Sequence, residues 1–492
     1  MTGGGRGARE LHTINKWQGL ETGERVELAA ILDGDRSPAC GPSLLMAKEL
    51  FGTDGIRGIP GTPPLDDPTL YSVGRGLAEF LRKQHGAAQV LIGMDTRESG
   101  PHIASLLAAG LQAGQASVEF AGVITTPGIA CLVRQNDYQA GVVISASHNP
   151  YHDNGVKLFS HAGMKFPDAQ EATIEREMAR FQEQAIPTVR PALVAQHHLH
   201  VEYLDFLKTR VLPGAQLSGL GVVMDCANGA AYRLGPELFR ALGADVVAIG
   251  VNPDGRNINA GCGSLHMGRL QEEVRKAGAI LGVAFDGDAD RALFVSEDGQ
   301  TVNGDAVLLA LARYLKANHA LKRDRVVATS MSNLGLERVL AREGIGLART
   351  AVGDRYVLEE MLKSGNNLGG EQSGHIIFLD DSPAGDGLLT AVKVASLVSM
   401  KGSLKKLIEG FQDYPQVIVN VKVKAKPPLE SIAGVGKALA EAKAALRENG
   451  RIVLRYSGTE PLVRVMVEAE EEADVRRYSE SIAEAVRSAI GA

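Results

Sequence analysis

A short apolar strand followed by a helix sets the pattern of this chain: Val90-Leu-Ile-Gly-Met94, then Ala104-Ser-Leu-Leu-Ala-Ala-Gly-Leu-Gln112. The first stretch has the length of a buried strand, and the second has the apolar spacing of a helix. The same unit recurs at 220–224 with 236–242, and again at 326–329 with 336–340. Strands that alternate with helices indicate an α/β fold, so we predict three related α/β domains.

The last part of the chain follows a different pattern. After Pro415, the alternating stretch Val417-Ile-Val-Asn-Val-Lys-Val423 precedes a helix, two strands around residues 457–461 and a terminal helix from about Ala473. This order predicts a smaller C-terminal α+β domain. We place the four domains at residues 46–200, 201–304, 305–414 and 415–492.

Composition narrows the class of protein. The chain has 492 residues, of which 45% are hydrophobic and 22% charged, as is ordinary for a globular protein. A net charge of −6 offers no basic field for nucleic acid, and no run approaches the ~18 apolar residues of a membrane span. The four cysteines form no C-x-x-C pair, so we expect neither a disulfide framework nor a structural zinc site, and a reducing cytoplasm fits.

Three aspartates stand at alternate positions in Phe285-Asp286-Gly-Asp288-Ala-Asp290-Arg291, between two apolar, strand-like runs. Like charges this close raise one another's pKa, so a site that keeps all three ionised most simply holds a hard divalent cation. The main competing interpretation is an EF-hand, because the three aspartates and Glu297 fall at positions 1, 3, 5 and 12 of such a loop, and a metal-free acidic turn is a further alternative. Arg291 stands where an EF-hand needs glycine, and the flanks are not helical. We therefore predict a catalytic metal site.

An apolar strand also leads into the polar loop Val142-Val-Ile-Ser-Ala-Ser147-His148-Asn149-Pro150, which predicts a serine presented at the end of the strand. Taken alone, the loop is more often a strand-to-turn transition whose hydroxyls cap a helix. Lys157 follows ten residues after Ser147, where the chain can fold back over the same site. A lone lysine is most often a solvated surface charge, so Lys157 is a candidate only in this company.

Three further segments carry groups suited to a phosphorylated sugar. Phe51-Gly-Thr-Asp-Gly-Ile-Arg57-Gly58 holds an arginine between glycines, and by itself it is an ordinary turn. Arg455-Tyr-Ser457-Gly458-Thr459-Glu-Pro461 suits a phosphate dianion, although a hairpin turn without a ligand has the same composition. Gly369-Gly-Glu371-Gln-Ser373-Gly-His375 places three polar side chains on one side if the segment is extended, as binding of sugar hydroxyls requires. A lone histidine such as His375 is more often structural.

In chain order, these segments resemble the motifs of the α-D-phosphohexomutase superfamily. The resemblance covers about residues 46–492, and five motifs in the family's order are far more specific than any one of them. Within the superfamily the chain most resembles the bacterial phosphoglucosamine mutases. That closer resemblance rests on Asn257-Ile-Asn259, Cys262-Gly-Ser264, Met331-Ser-Asn-Leu-Gly335, Val352-Gly-Asp-Arg-Tyr356 and Gln372.

The resemblance implies three related α/β domains and a smaller fourth domain around a central active-site cleft. It implies a phosphoryl group on Ser147, required for activity, and one Mg²⁺ per subunit held by that group and by Asp286, Asp288 and Asp290. Glucosamine 6-phosphate would become glucosamine 1-phosphate through a 1,6-bisphosphate that reorients in the cleft. The product would supply the synthesis of UDP-N-acetylglucosamine and of peptidoglycan precursors.

The same resemblance assigns roles to the remaining motif residues. The phosphate that is not reacting would be held by Arg455, Ser457, Gly458 and Thr459. Ring hydroxyls would be bound by Glu371 and Ser373, and the transferring group would be steadied by Arg57, His148 and Arg291. Lys157 and His375 both remain candidates for the general acid/base, with Lys157 slightly favoured. A bisphosphorylated sugar or a kinase would prime Ser147, and the oligomeric state stays open, a homodimer included.

Two other functions compete with this interpretation. A phosphomannomutase/phosphoglucomutase would use the same machinery on a hexose that lacks the 2-amino group. A non-catalytic sugar-phosphate-binding homologue would keep the fold without transferring a phosphoryl group. The presence of Ser147, of all three aspartates and of Arg291 argues against the second of these.

Residues 1–45 precede the part of the chain that resembles the superfamily. Its members usually begin a few residues before the Phe-Gly-Thr-Asp-Gly motif, and Met46-Ala-Lys-Glu-Leu-Phe51 resembles such a beginning. We therefore expect either upstream sequence translated from a misassigned start, which we favour, or a poorly packed extension. An intact mass of the native protein that begins at Met1 would refute the misassigned start.

Overall fold

The computed structural model of the chain describes residues 50–52, 54–86, 88–457 and 461–492. The expectation for residues 1–45 lies outside this range, as do the predictions for Gly458 and Thr459. The described strands form four sheets, and we number the domains that contain them 1 to 4.

Domain 1 has a mixed five-stranded sheet. Its strands are β1 (Ile56–Gly58), β2 (Gln89–Met94), β3 (Ser117–Val123), β4 (Ala140–Ile144) and β5 (Asn154–Ser160). Its helices are α1 (Asp67–His85), α2 (Gly100–Ala113), α3 (Thr126–Gln135) and α4 (Asp168–Ala179). The strand order is β1-β5-β4-β2-β3, with β2 parallel to β3 and β4, and β5 antiparallel to β4 and β1.

Domain 2 repeats this sheet. The helix α5 (His197–Lys208) leads into β6 (Gly221–Asp225), α6 (Ala231–Ala241), β7 (Asp245–Ile249) and α7 (Gly268–Ala277). The strands β8 (Leu281–Phe285), β9 (Ala292–Ser296) and β10 (Thr301–Val302) follow. The order is β10-β9-β8-β6-β7, again with β8, β6 and β7 parallel to one another and with antiparallel pairings of β9 to β8 and of β10 to β9.

Domain 3 has the same arrangement with one strand fewer. Its elements are α8 (Gly304–Ala317), β11 (Arg325–Thr329), α9 (Leu334–Arg342), β12 (Gly346–Thr350), α10 (Asp354–Ser364), β13 (Leu368–Gly370), β14 (Ile376–Phe378), α11 (Gly387–Lys401) and α12 (Leu404–Leu407). The order is β12-β11-β13-β14, with only β14 antiparallel to its neighbour.

Domain 4 is built differently. Its elements are β15 (Gln416–Lys422), α13 (Ala433–Leu446), β16 (Gly450–Tyr456), β17 (Leu462–Ala469) and α14 (Glu472–Ile490). The sheet is wholly antiparallel, in the order β15-β17-β16. The predicted architecture of three related α/β domains and a smaller α+β domain is therefore confirmed.

The shared topology of domains 1 to 3 puts one loop of each at an equivalent point. In each sheet the third parallel strand, β4, β8 or β13, turns into an antiparallel strand, β5, β9 or β14. The connecting loops carry Ser147, the three aspartates and Glu371, respectively. Ligands of open α/β sheets bind beyond the carboxyl ends of the parallel strands, so these loops are where a site is expected.

A continuous hydrophobic core fixes these loops relative to one another. One cluster of buried side chains joins Ile129 of α3, Tyr203 of α5, Phe285 of β8 and Leu388 of α11. Each large apolar side chain buried in this way contributes about 1.5–3 kcal/mol relative to an exposed one. Domain 4 has a core of its own between its sheet and its two helices. In the part of the chain that the structure describes, no helix has both the length and the apolar character needed to cross a bilayer.

Candidate active site

Ser147 lies just beyond β4 with a φ of 53°, in the left-handed region that non-glycine residues seldom occupy. Its Oγ donates a hydrogen bond to Asp286 Oδ2 at 2.6 Å. The residue is only 2% exposed, so the expectation of a serine presented to solvent is wrong in this structure. The physical reason is that the aspartate loop of domain 2 packs directly against the serine loop of domain 1.

The three aspartates form a buried cluster. One carboxylate oxygen from each of Asp286, Asp288 and Asp290 lies within 4.8 Å of the other two. Neither Asp288 Oδ1 nor Asp290 Oδ1 has a hydrogen-bond partner among the described residues, although both are buried. Buried oxygens without partners are costly, and a set of hard carboxylate ligands suits Mg²⁺, so the donor set fits such a cation.

The electrostatic environment shifts the pKa values of Asp286 and Asp290 in opposite directions. Burial, reinforced by the charges of Asp290 and Asp288, raises the pKa of Asp286 well above its usual value. Burial also acts to raise the pKa of Asp290, but Lys157 and His375 outweigh it and lower that pKa. The cluster therefore combines a carboxyl group that favours its proton with one that is held ionised.

Lys157 lies inside this cluster. It stands on β5 opposite Val143, so the antiparallel pairing of β4 and β5 brings it back over the site as expected. It is 1% exposed, and its Nζ lies 2.9 Å from Asp288 Oδ2 and 3.1 Å from Asp54 Oδ2. The alternative of a surface charge is therefore wrong. Burial acts to lower the pKa of Lys157, but the nearby carboxylates outweigh burial and raise that pKa, so the amine is charged.

The loop that carries Glu371 and His375 is a tight turn, so the expectation of an extended segment is wrong. Glu371 N donates to His375 O at 2.9 Å, and Gly374 N donates to Glu371 O at 3.0 Å. The turn separates the side chains. His375 Nδ1 points to Asp290 Oδ2 at 3.7 Å, whereas Ser373 Oγ lies 3.5 Å from Glu371 Oε2.

His375 itself is buried between two carboxylates. Its Nε2 lies 3.9 Å from Asp354 Oδ2, on the side opposite its contact with Asp290. Burial acts to lower the pKa of His375, but these carboxylates outweigh it and raise that pKa. Its environment therefore favours the charged imidazolium.

Arg57, His148 and Arg291 surround the serine and aspartate loops. Arg57 pairs with Asp54 and donates to Ala146 O at 3.3 Å, and Arg291 N donates to Asp286 Oδ1 at 3.2 Å. Burial, together with Arg291 and Arg57, lowers the pKa of His148. His148 Nδ1 has no hydrogen-bond partner among the described residues. The arrangement favours a neutral histidine beside two guanidiniums, which suits the binding of a phosphoryl group.

Four polar residues of this cluster were not singled out from the sequence: Asp54, Thr126, Lys165 and Asp354. Lys165 Nζ lies 2.6 Å from Asp54 Oδ1 and 2.8 Å from Asp354 Oδ2, which joins domains 1 and 3. Thr126 Oγ1 donates to Asp288 Oδ2 at 2.6 Å. Asp54 stands inside the Phe-Gly-Thr-Asp-Gly motif, which is a signal, but it was interpreted only as part of a turn.

Arg455 and Ser457 stand in domain 4, at the end of β16. Arg455 is paired in register with Arg464 of β17, which the sequence analysis did not single out. Burial, and then the charge of Arg464, lowers the pKa of Arg455. Two like charges directly opposite on paired strands repel each other, and a bound anion relieves that repulsion. The strand register is therefore the signal that points to Arg464.

Glycines allow the loops around the site to approach one another closely. A Cβ on Gly287 would lie 2.4 Å from Ser147 O, and one on Gly304 would lie 2.0 Å from Glu371 O. A Cβ on Gly387 would lie 2.7 Å from Arg291 O. Real Cβ atoms do not approach backbone oxygens this closely, so no side chain fits at these three positions.

Comparison with known families assigns the class of protein. The chain matches the models of all four phosphoglucomutase/phosphomannomutase domains: alpha/beta/alpha domain I at residues 48–185, domain II at 201–299, domain III at 303–414 and the C-terminal domain at 418–485. It therefore belongs to the phosphoglucomutase/phosphomannomutase family, within the α-D-phosphohexomutase superfamily that its motifs indicated.

Curated relatives narrow this assignment. The chain is 50% identical over 447 residues to the phosphoglucosamine mutase of Solibacter usitatus, covering 91% of this chain and 100% of that protein. It is 48% identical to the phosphoglucosamine mutase of Koribacter versatilis, covering 90% and 98%. Within the superfamily it thus groups with the bacterial phosphoglucosamine mutases, which confirms the predicted family and its class, an isomerase.

Solved structures share the fold. A phosphoglucomutase/phosphomannomutase family protein from Burkholderia thailandensis superposes with a TM-score of 0.73 at 25% identity, over 90% of this chain and 98% of that chain. The N-acetylphosphoglucosamine mutase of Aspergillus fumigatus, solved with GlcNAc-6P and magnesium, superposes with a TM-score of 0.59 at 18% identity. That alignment covers 86% of this chain and 97% of the fungal one.

Proposed function

We propose that this chain interconverts glucosamine 6-phosphate and glucosamine 1-phosphate through a phosphoserine at Ser147 and a 1,6-bisphosphate intermediate. The observation that carries the proposal is the contact of Ser147 Oγ with Asp286 Oδ2 at 2.6 Å, at the edge of a buried aspartate triad. The choice of sugar rests on relatives that are 42–50% identical over most of their length and are named phosphoglucosamine mutase.

In the first half-reaction, phospho-Ser147 gives its phosphoryl group to O1 of glucosamine 6-phosphate. The bond between phosphorus and Oγ breaks and a bond between phosphorus and O1 forms, while O1 loses its proton and Oγ gains one, so that Ser147 is again a hydroxyl. Arg57, His148 and Arg291 surround the transferring group. The two guanidiniums oppose its negative charge, and the neutral His148 can donate a hydrogen bond to it. Asp286, Asp288, Asp290 and a phosphate oxygen would hold one Mg²⁺, which supplies neutralisation of charge when bound.

Lys157 is the residue that we propose for proton transfer. Its charged Nζ lies 2.9 Å from Asp288 Oδ2, next to the carboxylate that receives the Ser147 hydroxyl, so it can donate a proton to Oγ as the phosphoryl group leaves. His375 Nδ1 lies 3.7 Å from Asp290 Oδ2, a longer contact than that of Lys157 with Asp288.

In the second half-reaction, the bisphosphate reorients, the bond between its 6-phosphorus and O6 breaks, and a bond between that phosphorus and Ser147 Oγ forms. Oγ loses its proton, O6 gains one, and glucosamine 1-phosphate is released. Glu371 and Ser373 bind ring hydroxyls in both orientations. Arg455 and Ser457, with Gly458 and Thr459, hold the phosphate that is not reacting. A clamp in a domain separate from the serine can serve both halves of the reaction, since either phosphate can occupy it.

The test combines the nucleophile with the substrate. The protein is incubated with labelled glucose 1,6-bisphosphate, its phosphopeptides are mapped, and its activity is measured on glucosamine 6-phosphate. Label is expected on Ser147, and the Ser147→Ala protein should lose both label and turnover. Ser488→Ala, at an exposed position of α14, is the matched control and should keep both. Exchange of label that persists in Ser147→Ala would overturn the phosphoserine.

The same assay separates the alternatives. Turnover of glucose 1-phosphate comparable with that of the glucosamine ester would favour a phosphomannomutase/phosphoglucomutase. Binding of sugar phosphate without turnover would favour a non-catalytic homologue. Labelling by the bisphosphate, compared with labelling by ATP and a cell extract, distinguishes the two priming routes.

Three further features belong to this proposal. We place the chain in the cytoplasm, in keeping with the free thiols of Cys131, Cys226 and Cys262. We keep the domain boundaries at 200, 304 and 414, which fall between the sheets. A light-scattering mass in solution decides between a monomer and a homodimer.

A further inference from the structure

The backbone of the Ser147 loop is held by side chains from two domains. The carbonyl oxygen of Ser147 accepts hydrogen bonds from Arg97 Nη2 at 3.0 Å and from Asn259 Nδ2 at 2.9 Å. The carbonyl oxygen of Asn149 accepts from the same two groups, at 2.9 and 3.0 Å. Arg97 Nη1 donates in addition to Pro150 O. Three carbonyls of this short loop are thus turned toward one guanidinium and one amide.

Domain 1 supplies the first group of side chains that hold this loop. The Arg97 and Asp95 side chains are both 0% exposed, and Arg97 Nε lies 2.9 Å from Asp95 Oδ2. Asp95 Oδ2 also accepts from Ser145 Oγ at 2.6 Å, and Ser145 Oγ accepts from Ser147 N at 2.9 Å. Both backbone polar groups of Ser147 are therefore anchored, through one or two side chains, to a single buried carboxylate.

Domain 2 supplies the second side chain type that holds this loop, the amide of Asn259. Asn259 has a φ of 59°, and its amide reaches across the domain boundary to the serine loop. Gly287 makes room for it, because a Cβ there would lie 2.4 Å from Ser147 O and 2.9 Å from Asn259 Nδ2. Glu98 N of domain 1 also donates to Gly255 O of domain 2 at 2.9 Å, so a backbone hydrogen bond joins the same two domains.

These hydrogen bonds hold Ser147 in its backbone conformation. A residue at positive φ keeps that strained conformation only where its surroundings over-determine it, and here three hydrogen bonds from domains 1 and 2 hold the Ser147 backbone.

We propose that Asn259, acting with Arg97, is a positioning residue for phosphoryl transfer. Its amide fixes the Ser147 backbone so that Oγ lies in line with the transferred phosphorus. It can do so only while domains 1 and 2 are packed against each other. The inference rests on the proposed role of Ser147 as the phosphorylated nucleophile. Asn259 touches no reacting atom, so it acts through the loop.

Asn259 carries the test, because replacing Arg97 would leave the buried Asp95 carboxylate unpaired and endanger folding. Asn259→Gly keeps the positive φ at no steric cost and removes only the side-chain donor. Asn259→Asp keeps size and shape, and aspartate tolerates this backbone conformation, but it places an oxygen against two carbonyl oxygens. His319→Gly, an exposed residue with a φ of 55°, is the matched control for adding a glycine at positive φ.

Steady-state kinetics give the first readout. Asn259→Gly should lower kcat on the order of tenfold to a hundredfold, because small displacements of a nucleophile have effects of that size, and should leave KM within about twofold. Asn259→Asp should lose at least as much. His319→Gly should match the wild type. A normal kcat in Asn259→Gly, or an Asn259→Asp protein as active as the wild type, would overturn the inference.

Amide hydrogen exchange gives a second readout that needs no substrate. Asn259→Gly should exchange faster at residues 147–151 than the wild type, with an unchanged rate in the strands of domain 4. Equal protection of the loop in both proteins would show that the Asn259 side chain does not hold the loop. A wild type that fails to turn over glucosamine phosphates while the loop loses protection in the variant would overturn only the proposed function.

Discussion

Lys157 compensates the negative charge of several buried carboxylates in the site. Its buried ammonium faces the carboxylates of Asp54, Asp288 and Asp290 at 3.1, 2.9 and 3.8 Å. Removing one partner of a buried charge cluster leaves uncompensated charge, which typically costs about 3–5 kcal/mol. Lys157→Met should therefore lower the free energy of unfolding in urea by about that amount in the absence of divalent cations.

Added Mg²⁺ should restore part of this loss, because a cation held by the native aspartates stabilises only the folded state. The gain on adding Mg²⁺ should be larger for Lys157→Met than for the wild type. Lys405→Met is the control, since Lys405 makes an exposed ion pair with Asp298, and its urea midpoint should not move. An equal response of the wild type and Lys157→Met to Mg²⁺ would show that the lysine and the metal do not share these carboxylates.

Single residues also show which parts of the site could be predicted from the sequence and which could not. Asp286, Asp288 and Asp290 could be predicted to cluster because they are neighbours in the chain. Lys165 and Asp354 are 189 positions apart, and their ion pair exists only because domains 1 and 3 pack together. No local pattern encodes such a contact, and the burial of Lys157 depends on packing in the same way.

At the scale of elements, Asp305 in the first turn of α8 couples two helices and makes stability depend on pH. Its Oδ2 accepts from Asn333 N at 2.6 Å, and Asn333 is the capping residue of α9. Burial raises the pKa of Asp305 from 3.8 to about 7, although the hydrogen bond from Asn333 acts against this. Protons therefore bind this carboxyl more tightly in the folded state than in the unfolded one.

The sign follows from proton linkage. Below pH 3.8 both states hold the proton, and as pH rises toward 7 the unfolded state loses it first, so the contribution of Asp305 to stability falls. Asp305→Asn should remove roughly 3–5 kcal/mol of this decline between about pH 4 and 7. Urea denaturation across that range measures it, with exposed Asp324→Asn as the control. Parallel pH profiles for wild type and Asp305→Asn would contradict the prediction.

Strands and helices could be predicted where apolar periodicity is strong. The expected helix at 104–112 is α2, and the alternation at 417–423 is β15 with a shift of one residue. The segment 371–375 was expected to be extended, yet it forms a turn, because β13 and β14 are short strands that pair as a hairpin. Alternation of polar residues over five positions cannot separate a strand from such a turn.

For the whole molecule, domain 4 is fastened at the end of its sheet opposite Arg455. Arg451 Nη2 donates to Ser332 O at 2.7 Å and to Glu468 Oε2 at 2.7 Å. Glu468 is 0% exposed, and its other oxygen accepts from Leu334 N at 2.8 Å at the start of α9. The Arg451–Glu468 ion pair of domain 4 therefore attaches the strand that carries Arg455 to backbone groups of domain 3.

Arg451→Met should loosen this attachment, because Glu468 would keep a buried charge without its cation. We expect faster cleavage by proteases within residues 411–416, where the chain passes between the two domains, and a higher KM for the sugar phosphate. Arg477→Met, on the exposed side of α14, is the control and should behave as the wild type. Unchanged proteolysis and KM in Arg451→Met would mean that other contacts hold the domain.

The close approach of the loops at Gly287, Gly304 and Gly387 also bears on how this protein can be engineered. Exchanging glycine for alanine is a common route to heat resistance, because it reduces the freedom of the unfolded chain. At these three positions the added methyl group would meet a backbone oxygen at 2.0–2.7 Å. Thermostabilisation should spare them and begin at Gly268 or Gly434, where nothing lies within 4 Å of the missing Cβ.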